Sequence, residues 1–291
     1  MRPKKLMIFG FGYTASFLAK NLAPLGFDIV GTSRNKDCVG LHPTNTSCEL
    51  IHFEPIDIAK HMASVTHILI SPPPTDILGD PVLSAYSELL IQHANHIQWL
   101  GYLSSTGVYG DHQGQWVDES SASLSLGKQG ERRLDAEIAW SSFANQYHLP
   151  LHIFRLAGIY GPEKNALARL KLGKKQTIYK PDQFFSRIHV EDIANILTAS
   201  IQNPNPISIY NVSDDEPAPS HIVDEYAASL MNLSSLERIP FAEAVLSPMA
   251  KEFYANNRRV SNSKIKKELA VKLNYPTYQQ GLKKIYAKGE Y

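Results

Sequence analysis

The sequence predicts an α/β protein: a doubly wound parallel sheet with a smaller C-terminal lobe. Short apolar runs alternate with helical patterns over the first two-thirds of the 291 residues, which is typical of a parallel sheet covered by helices on both faces. A glycine-rich turn joins the first apolar run to the first helical stretch. After about Pro162 the alternation becomes irregular, which indicates that later segments build a small lobe.

Each predicted strand is an apolar or β-branched run bounded by polar residues, glycine or proline. The predicted strands are residues 6–9, 28–32, 50–53, 67–71, 99–104, 152–156 and 208–212. The predicted helices are residues 15–25, 83–97, 130–147 and 190–202. Residues 1–162 are expected to form the first domain, with segments near 187–215 returning to it, and residues 163–291 mainly form the lobe.

The composition narrows the classes of function. A formal net charge of +1 gives no electrostatic reason to expect binding to nucleic acid or to a membrane surface. Apolar residues make up 43% of the chain, which is enough for a real core. Cys38 and Cys48 lack metal-ligand spacing, so we predict no metal site, and two cysteines fit a reducing compartment.

The first twenty residues, MRPKKLMIFGFGYTASFLAK, combine a basic start with an apolar run, as a secretory signal would. Gly10 and Gly12 interrupt that run, which leaves no compact apolar block of secretory length. No apolar stretch approaches the ~20 residues that a membrane helix needs. We therefore expect a cytoplasmic protein that binds a small molecule.

The segment LMIFGFGYTA is typical of a dinucleotide-binding turn. The first glycine permits a tight turn, the second lets a pyrophosphate approach the backbone, and a small third residue lets helix and strand pack closely. The helix N-terminus adds N–H donors. The alternative is a glycine turn without a ligand. The predicted cofactor-binding residues of this turn are Gly10, Phe11, Gly12, Tyr13, Thr14 and Ala15.

The end of the second predicted strand indicates which dinucleotide binds. Enzymes that use NAD usually place a carboxylate there for the ribose 2′-hydroxyl, whereas this chain has Thr32, Ser33 and Arg34. An arginine can pair with a 2′-phosphate through two hydrogen bonds. We therefore predict NADP, with NAD as the alternative cofactor, and the competing interpretation is a solvated arginine in a turn.

A stiff loop, ISPPPT, follows the fourth predicted strand. Its prolines have fixed φ and no N–H group, so they cannot extend the sheet. Because ligands bind at the carboxyl edge of such sheets, we predict that Ser71, Pro72 and Pro73 form a wall beside the cofactor. A loop without a binding role is the alternative.

Five motifs together resemble the extended or atypical short-chain dehydrogenases/reductases of the NAD-dependent epimerase/dehydratase family. They are GFGYTA, YLSSTGVYG, FRLAGIYGP, SRIHVEDIA and YNVSDDEP, in family order, and the ending SNSKIKKEL with YPTYQQGL is also similar. The resemblance implies a Rossmann sheet with a C-terminal substrate lobe and an oxidoreductase or epimerase activity. A homodimer is compatible with it.

The resemblance assigns the catalytic serine position to Ser105, which would hydrogen-bond the reacting oxygen of the substrate. A serine that only caps the strand end is the alternative. Anchoring on the family's glutamate, here Glu137, places Gln129 at the family's tyrosine position and Arg133 at its lysine position. A glutamine amide cannot take and give a proton as a tyrosine can. Arg133 could still bind the nicotinamide ribose.

Candidates for a replacement acid are Tyr109, Tyr160 and His189. For each of them, a packing or capping role is the competing interpretation. Two hypotheses about function remain. The first is an NADP-dependent enzyme that uses Ser105 and a non-standard acid, and the second is a regulator or sensor that binds NADP(H) without turnover.

Overall fold

The structure, a computed structural model, describes residues 4–35, 48–125 and 127–291. The strands are β1 (Lys4–Phe9), β2 (Phe27–Ser33), β3 (Cys48–His52), β4 (His67–Ile70), β5 (Trp99–Ser105), β6 (Trp116–Val117), β7 (Leu151–Leu156), β8 (Gly158–Tyr160), β9 (Gln176–Tyr179), β10 (Arg187–His189), β11 (Ser208–Val212), β12 (Glu237–Pro240) and β13 (Arg259–Val260). The helices are α1 (Tyr13–Leu22), α2 (Pro55–Met62), α3 (Pro81–His93), α4 (Lys128–Tyr147), α5 (Ala166–Lys171), α6 (Val190–Gln202), α7 (Ser220–Leu230), α8 (Pro248–Ala255), α9 (Ser263–Glu268) and α10 (Tyr278–Lys288). Cys38 lies outside the described residues.

The main sheet of the described residues has seven strands in the order β11-β7-β5-β4-β1-β2-β3. Every neighbouring pair in it is parallel. All seven predicted strands lie in this sheet, which confirms the predicted Rossmann-type fold class. The strand order reverses between β1 and β4, so a crevice opens at the carboxyl ends of these two strands.

Both faces of the sheet are buried, and β1 shows this most directly. Leu6 and Ile8 belong to one apolar cluster, which includes residues of α1 and α6. Met7 and Phe9 belong to a second cluster, with residues of α2, α3 and α4. Because successive side chains of a strand point to opposite faces, the continuous apolar run of β1 supplies both cores.

Two helix boundaries differ from the predicted ones for local chemical reasons. The first helix ends at Leu22 rather than at residue 25, because Pro24 lies in a short 3-10 turn that is closed by Gly26 at φ +77°. The third helix begins earlier than predicted, at Pro81, because the Asp80 carboxylate accepts hydrogen bonds from two backbone amides of the first turn, at 2.9 and 3.0 Å.

A third apolar cluster includes residues of α5, α7 and α10 together with Tyr160 of β8. We propose this cluster as the core of the C-terminal lobe. Its helices, with 6 residues in α5 and 11 in α7 and in α10, were not predicted from the sequence. None of the helices in the described ranges is both long and apolar enough to cross a membrane.

A buried ion pair fixes α4 to the sheet. The Arg155 guanidinium of β7 donates from Nε and Nη2 to the Glu137 carboxylate, with Nη2 at 2.8 Å from Oε2. The Ser104 hydroxyl of β5 donates to the same carboxylate. Glu137 is 3% exposed and Arg155 is 5% exposed. One carboxylate therefore connects α4 to two adjacent strands.

Replacing Glu137 by Gln should lower the free energy of unfolding by roughly 3–5 kcal/mol, because the buried Arg155 guanidinium then lacks its counter-charge. Denaturant unfolding measures this change. Glu131→Gln, on the same helix but exposed, is the matched control and should change stability by less than about 0.5 kcal/mol. If both variants lost a similarly small amount of free energy of unfolding, the Glu137–Arg155 pair would not be important for stability.

Candidate active site and cofactor cleft

The glycine turn between β1 and α1 is held against the end of β2. Gly10 has φ +79°, a backbone conformation that favours glycine. Its amide donates to the Thr32 hydroxyl at 2.9 Å, and the Phe11 amide donates to the Thr32 carbonyl at 2.8 Å. Thr32 is 1% exposed. Its hydroxyl thus holds the turn in place.

The backbone at Gly12 is open to a ligand. Gly12 is the exposed N-cap residue of α1, and a Cβ built on it would meet no protein atom within 4 Å. Ala15, the small residue that was predicted to let helix and strand pack closely, is buried, and so is Thr14. An anionic group can therefore approach the backbone amides at the start of α1.

Two aromatic residues of the turn have packing partners within the protein. The Phe11 ring lies over Gly31, since a Cβ on Gly31 would stand 2.4 Å from Phe11 Cδ2. The Tyr13 hydroxyl donates to the Pro162 carbonyl at 2.8 Å, and Lys164 Nζ lies 4.5 Å from the centroid of the Tyr13 ring. Tyr13 thus connects the turn to the loop that follows β8.

Ser33 and Arg34 stand at the carboxyl end of β2, beside this turn. The Ser33 hydroxyl accepts a hydrogen bond from the Asn35 amide at 3.1 Å. Arg34 is exposed, and it makes no salt bridge with another described residue. Its guanidinium is therefore accessible to a ligand at this edge of the sheet.

The proline loop after β4 borders both the turn and a cavity. A Cβ on Gly10 would lie 3.2 Å from the Pro72 ring, so this proline packs closely on the turn. The Ser71 amide donates to the Phe9 carbonyl at 3.0 Å. Pro73 lines the neighbouring cavity. The loop is thus a wall between the turn and the cavity.

The cavity has a volume of about 590 Å³ and lies at the carboxyl ends of β5 and β7. It brings together Ser105, Gln129 and Arg133, the three positions that sequence analysis had related to one another. Its other walls include Phe185 and Phe253, whose rings stack with centroids 4.5 Å apart. The cavity is therefore polar near β5 and α4, and partly aromatic elsewhere.

Ser105 is the last residue of β5, and it both caps a turn and lines the cavity. Its hydroxyl oxygen accepts from the Gly107 amide at 3.0 Å and so caps the 3-10 turn Thr106–Tyr109. The same residue lines the cavity. A hydroxyl that accepts one hydrogen bond still has its own hydrogen to donate.

Helix α4 begins at Lys128, two residues before the predicted start, and therefore includes all three positions 129, 133 and 137, which are spaced by four residues. Gln129 is exposed and lines the cavity, Arg133 follows one turn later, and Glu137 is buried. Arg133 Nη1 donates to the Leu103 carbonyl of β5 at 2.7 Å and contacts the Tyr102 hydroxyl at 3.3 Å. The Arg133 guanidinium is thereby held at the edge of the cavity.

The three candidates for a replacement acid are buried, and none of them lines the cavity. The Tyr109 hydroxyl donates to the Asn211 side chain at 2.7 Å. Burial raises the pKa of Tyr160 far above its ordinary value. His189 Nδ1 accepts a backbone amide as the N-cap of α6, and burial lowers the pKa of its ring to about 4. These contacts match the packing and capping interpretations.

The same cavity is also lined by Glu252, Phe253 and Arg258, which were not predicted from the sequence. A Cβ on Gly127 would stand 2.1 Å from Glu252 Oε1, so this carboxylate lies against the N-cap of α4. No motif marks these residues, since they stand more than about 100 positions after the serine motif and just before the similar C-terminal segment SNSKIKKEL. Only the folded chain brings them to Ser105.

The model of the NAD dependent epimerase/dehydratase family matches residues 6–213. Protein YeeZ of Escherichia coli (strain K12) is 27% identical over 286 residues, covering 94% of this chain and 97% of that protein. A functionally unknown conserved protein from Silicibacter pomeroyi DSS is 45% identical, with a TM-score of 0.90, covering 99% of this chain and 100% of that one. A dTDP-glucose 4,6-dehydratase from Bacillus anthracis in complex with NAD has a TM-score of 0.79 at 17% identity, covering 99% and 96% of the two chains, and shares the fold.

Gly12→Val should abolish dinucleotide binding without unfolding the protein. The new side chain meets no protein atom near Cβ, whereas it would occupy the space through which a pyrophosphate approaches. Calorimetric titration with NADPH measures the loss, and circular dichroism checks the fold. Lys20→Val, at the other end of the same helix, is the control. Retained affinity in a folded Gly12→Val protein would mean that the turn does not bind the dinucleotide.

Proposed function

Because the chain belongs to the NAD-dependent epimerase/dehydratase family, we propose that it is a nicotinamide-dependent oxidoreductase or epimerase of the atypical short-chain dehydrogenase/reductase type. The proposal rests on one observation: Ser105, Gln129 and Arg133 share a cavity at the sheet edge where Gly12 leaves the start of α1 open. Such an arrangement can hold a dinucleotide and a small substrate side by side.

In this proposal the amides at the start of α1 bind the pyrophosphate, and Pro73 with Arg133 borders the nicotinamide end. When bound, the dinucleotide supplies or accepts a hydride. The Ser105 hydroxyl donates to the oxygen of the reacting carbonyl and orients it. Arg133 holds the ribose with donors that its bond to the Leu103 carbonyl leaves free. The Phe185–Phe253 stack excludes water from one wall.

Proton transfer is the step for which the usual residue is missing. Gln129 has an amide, which cannot serve as a general acid, and Arg133 stays charged. Among the described residues that line the cavity, Glu252 is the only carboxylate, and none is Tyr, Lys or His. We propose that the proton passes through Glu252 or through water held in the cavity.

The same set of lining residues favours a second candidate function. A protein that binds NADP(H) as a regulator or redox sensor needs the open turn at Gly12 but no general acid. The absence of Tyr, Lys and His from the described cavity wall supports this alternative. We prefer the enzyme because Ser105 has kept its position at the cavity. Absorbance assays of NADPH against a panel of carbonyl compounds and sugar nucleotides distinguish the two.

We also propose which parts of the chain bind the cofactor and the substrate, and where and in what assembly the protein works. Residues 1–162, with the returning segments near 187–215, hold the cofactor, and residues 163–291 mainly bind the substrate. The substrate is a small molecule, the compartment is the cytoplasm, and the candidate assembly is a homodimer.

We propose that NADP is the preferred dinucleotide, because Arg34 is exposed at the end of β2, beside the turn. Arg34→Ala should weaken NADPH binding by about 1.5–3 kcal/mol, the range for a hydrogen bond to a charged group, and leave NADH binding nearly unchanged. Fluorescence titration with both dinucleotides measures this. Lys60→Ala, which removes an exposed cation from α2, is the control. Equal losses for the two dinucleotides would contradict the assignment.

Restoring the family's tyrosine and lysine at positions 129 and 133 tests whether a missing general acid limits the reaction. The double variant Gln129→Tyr with Arg133→Lys places a phenol beside Ser105 and a lysine one turn later, so weak reductase activity should rise. A positioned general acid contributes about 10²–10⁴-fold in rate. NADPH oxidation against the carbonyl panel is the measurement.

The matched control for this gain is Gln129→Phe with Arg133→Lys, which adds the ring without the hydroxyl. The control should show no increase. A wild-type protein that already turns over rapidly, combined with a slower Tyr/Lys variant, would show that the native acid lies elsewhere in the cavity.

A further inference from the structure

The Arg258 guanidinium enters the cavity without a carboxylate partner. Its Nη1 donates to the Gly110 carbonyl at 2.7 Å. Its Nε is fully buried and has no hydrogen-bond partner among the described residues. No described carboxylate lies within salt-bridge distance of it. The residue lines the cavity wall beside Val260 of β13.

An unpaired charge that is partly removed from water is unfavourable, and two other arginines of this region are paired. Arg155 pairs with Glu137, and Arg132, which also lines the cavity, pairs with Asp76 at 2.9 Å. Burial lowers the pKa of Arg258 to about 10, so the guanidinium is still charged at neutral pH. Arg258 is partly buried and its Nε is removed from solvent, so an anionic ligand that pairs with the guanidinium would be stabilising.

Neither of two nearby carboxylates lies within salt-bridge distance of Arg258, and the Asp111 charge acts on the guanidinium only from farther away. The Asp111 carboxylate accepts hydrogen bonds from the backbone amides of Gln113 and Asn257, at 3.1 and 2.9 Å. Glu252 lies against the N-cap of α4. Arg133 adds a second guanidinium that makes no salt bridge with a described residue. The cavity therefore has an excess of positive charge.

We propose that this cavity binds its substrate through a carboxylate or phosphate group that pairs with Arg258, while Ser105 holds the reacting oxygen of the same molecule. The carbon skeleton between the two groups packs on Phe185 and Phe253. The substrate class is thus a small anionic carbonyl or hydroxyl compound. This inference rests on the proposed function and extends it to the substrate.

The test uses inorganic phosphate and, separately, acetate as probes of the anion position. Thermal unfolding of the full chain is followed in each anion and in sodium chloride at matched ionic strength. At least one of the two anions should raise Tm by several degrees above the chloride control, because a ligand that binds only the folded state stabilises it. The anion that gives the larger shift distinguishes a phosphate-bearing substrate from a carboxylate-bearing one.

Two arginine variants locate the effect. Arg258→Met should weaken binding of the effective anion at least tenfold, measured by the concentration dependence of Tm. Arg259→Met is the control, because the Arg259 guanidinium stacks on Phe184 at 3.9 Å and does not line the cavity. Arg258→Lys keeps the charge with a different donor geometry and should retain part of the anion affinity. It replaces Arg258→Met in the experiment if the Arg258→Met protein does not fold.

A third variant excludes the cofactor turn as the anion site. Gly12→Val should keep the full anion effect, and Arg258→Met should keep NADPH affinity. The inference would be overturned if neither anion raised Tm beyond the chloride control. Equal losses of anion affinity in Arg258→Met and Arg259→Met, or loss of the Tm shift in Gly12→Val, would overturn it as well. NADPH binding is measured separately, so failure of the anion site is distinguishable from failure of the proposed cofactor function.

Discussion

The carboxylate of Glu137 is the interaction on which the geometry of the site depends. It accepts hydrogen bonds from Ser104 at the end of β5 and from Arg155 of β7, and it is carried by α4. Because these groups are buried, the helix cannot rotate or slide without leaving a guanidinium unpaired. The register of α4 against the sheet is thereby fixed. One turn earlier in α4, Arg133 donates a hydrogen bond to the Leu103 carbonyl, and two turns earlier Gln129 lines the cavity.

In this arrangement, the position of residue 129 does not depend on which side chain it carries. Helix α4 is held by Glu137, Arg133 and buried apolar residues such as Trp140, whereas Gln129 is exposed on the cavity wall. If position 129 corresponds to the family's tyrosine, as proposed, glutamine there removes a general acid without removing a contact that holds α4. Binding of cofactor and substrate can persist in such a cavity, because Gly12, Ser105 and Arg258 lie on other elements. Loss of the usual acid is consequently compatible with either proposed function.

The sequence predicted the features that depend on local pattern. Runs such as residues 6–9 identified strands buried on both faces, and GFGYTA identified the turn, because its glycines serve local backbone geometry. The side chain of Thr32 was assigned to the cofactor, but its hydroxyl receives the Gly10 amide, a contact across 22 positions that no local pattern shows. Arg258 was missed for a related reason. An arginine in a charged segment is usually solvated, and no local pattern shows that β13, which follows Arg258, pairs with the distant β6.

The Val-Tyr-Gly turn after Ser105 lies between the buried ion pair and the cavity residues Ser105 and Arg258. Gly110, at φ +69°, ends the 3-10 turn that Ser105 begins, and a Cβ on it would stand 2.3 Å from the Leu124 carbonyl, so glycine is required there. Its own carbonyl accepts from Arg258. Tyr109, one residue earlier, lies under the guanidinium of Arg155 at 4.8 Å. The motif that resembles a catalytic segment thus has a mechanical role as well. Its residues contact Arg155 of the buried ion pair, the serine and the proposed anion-binding arginine.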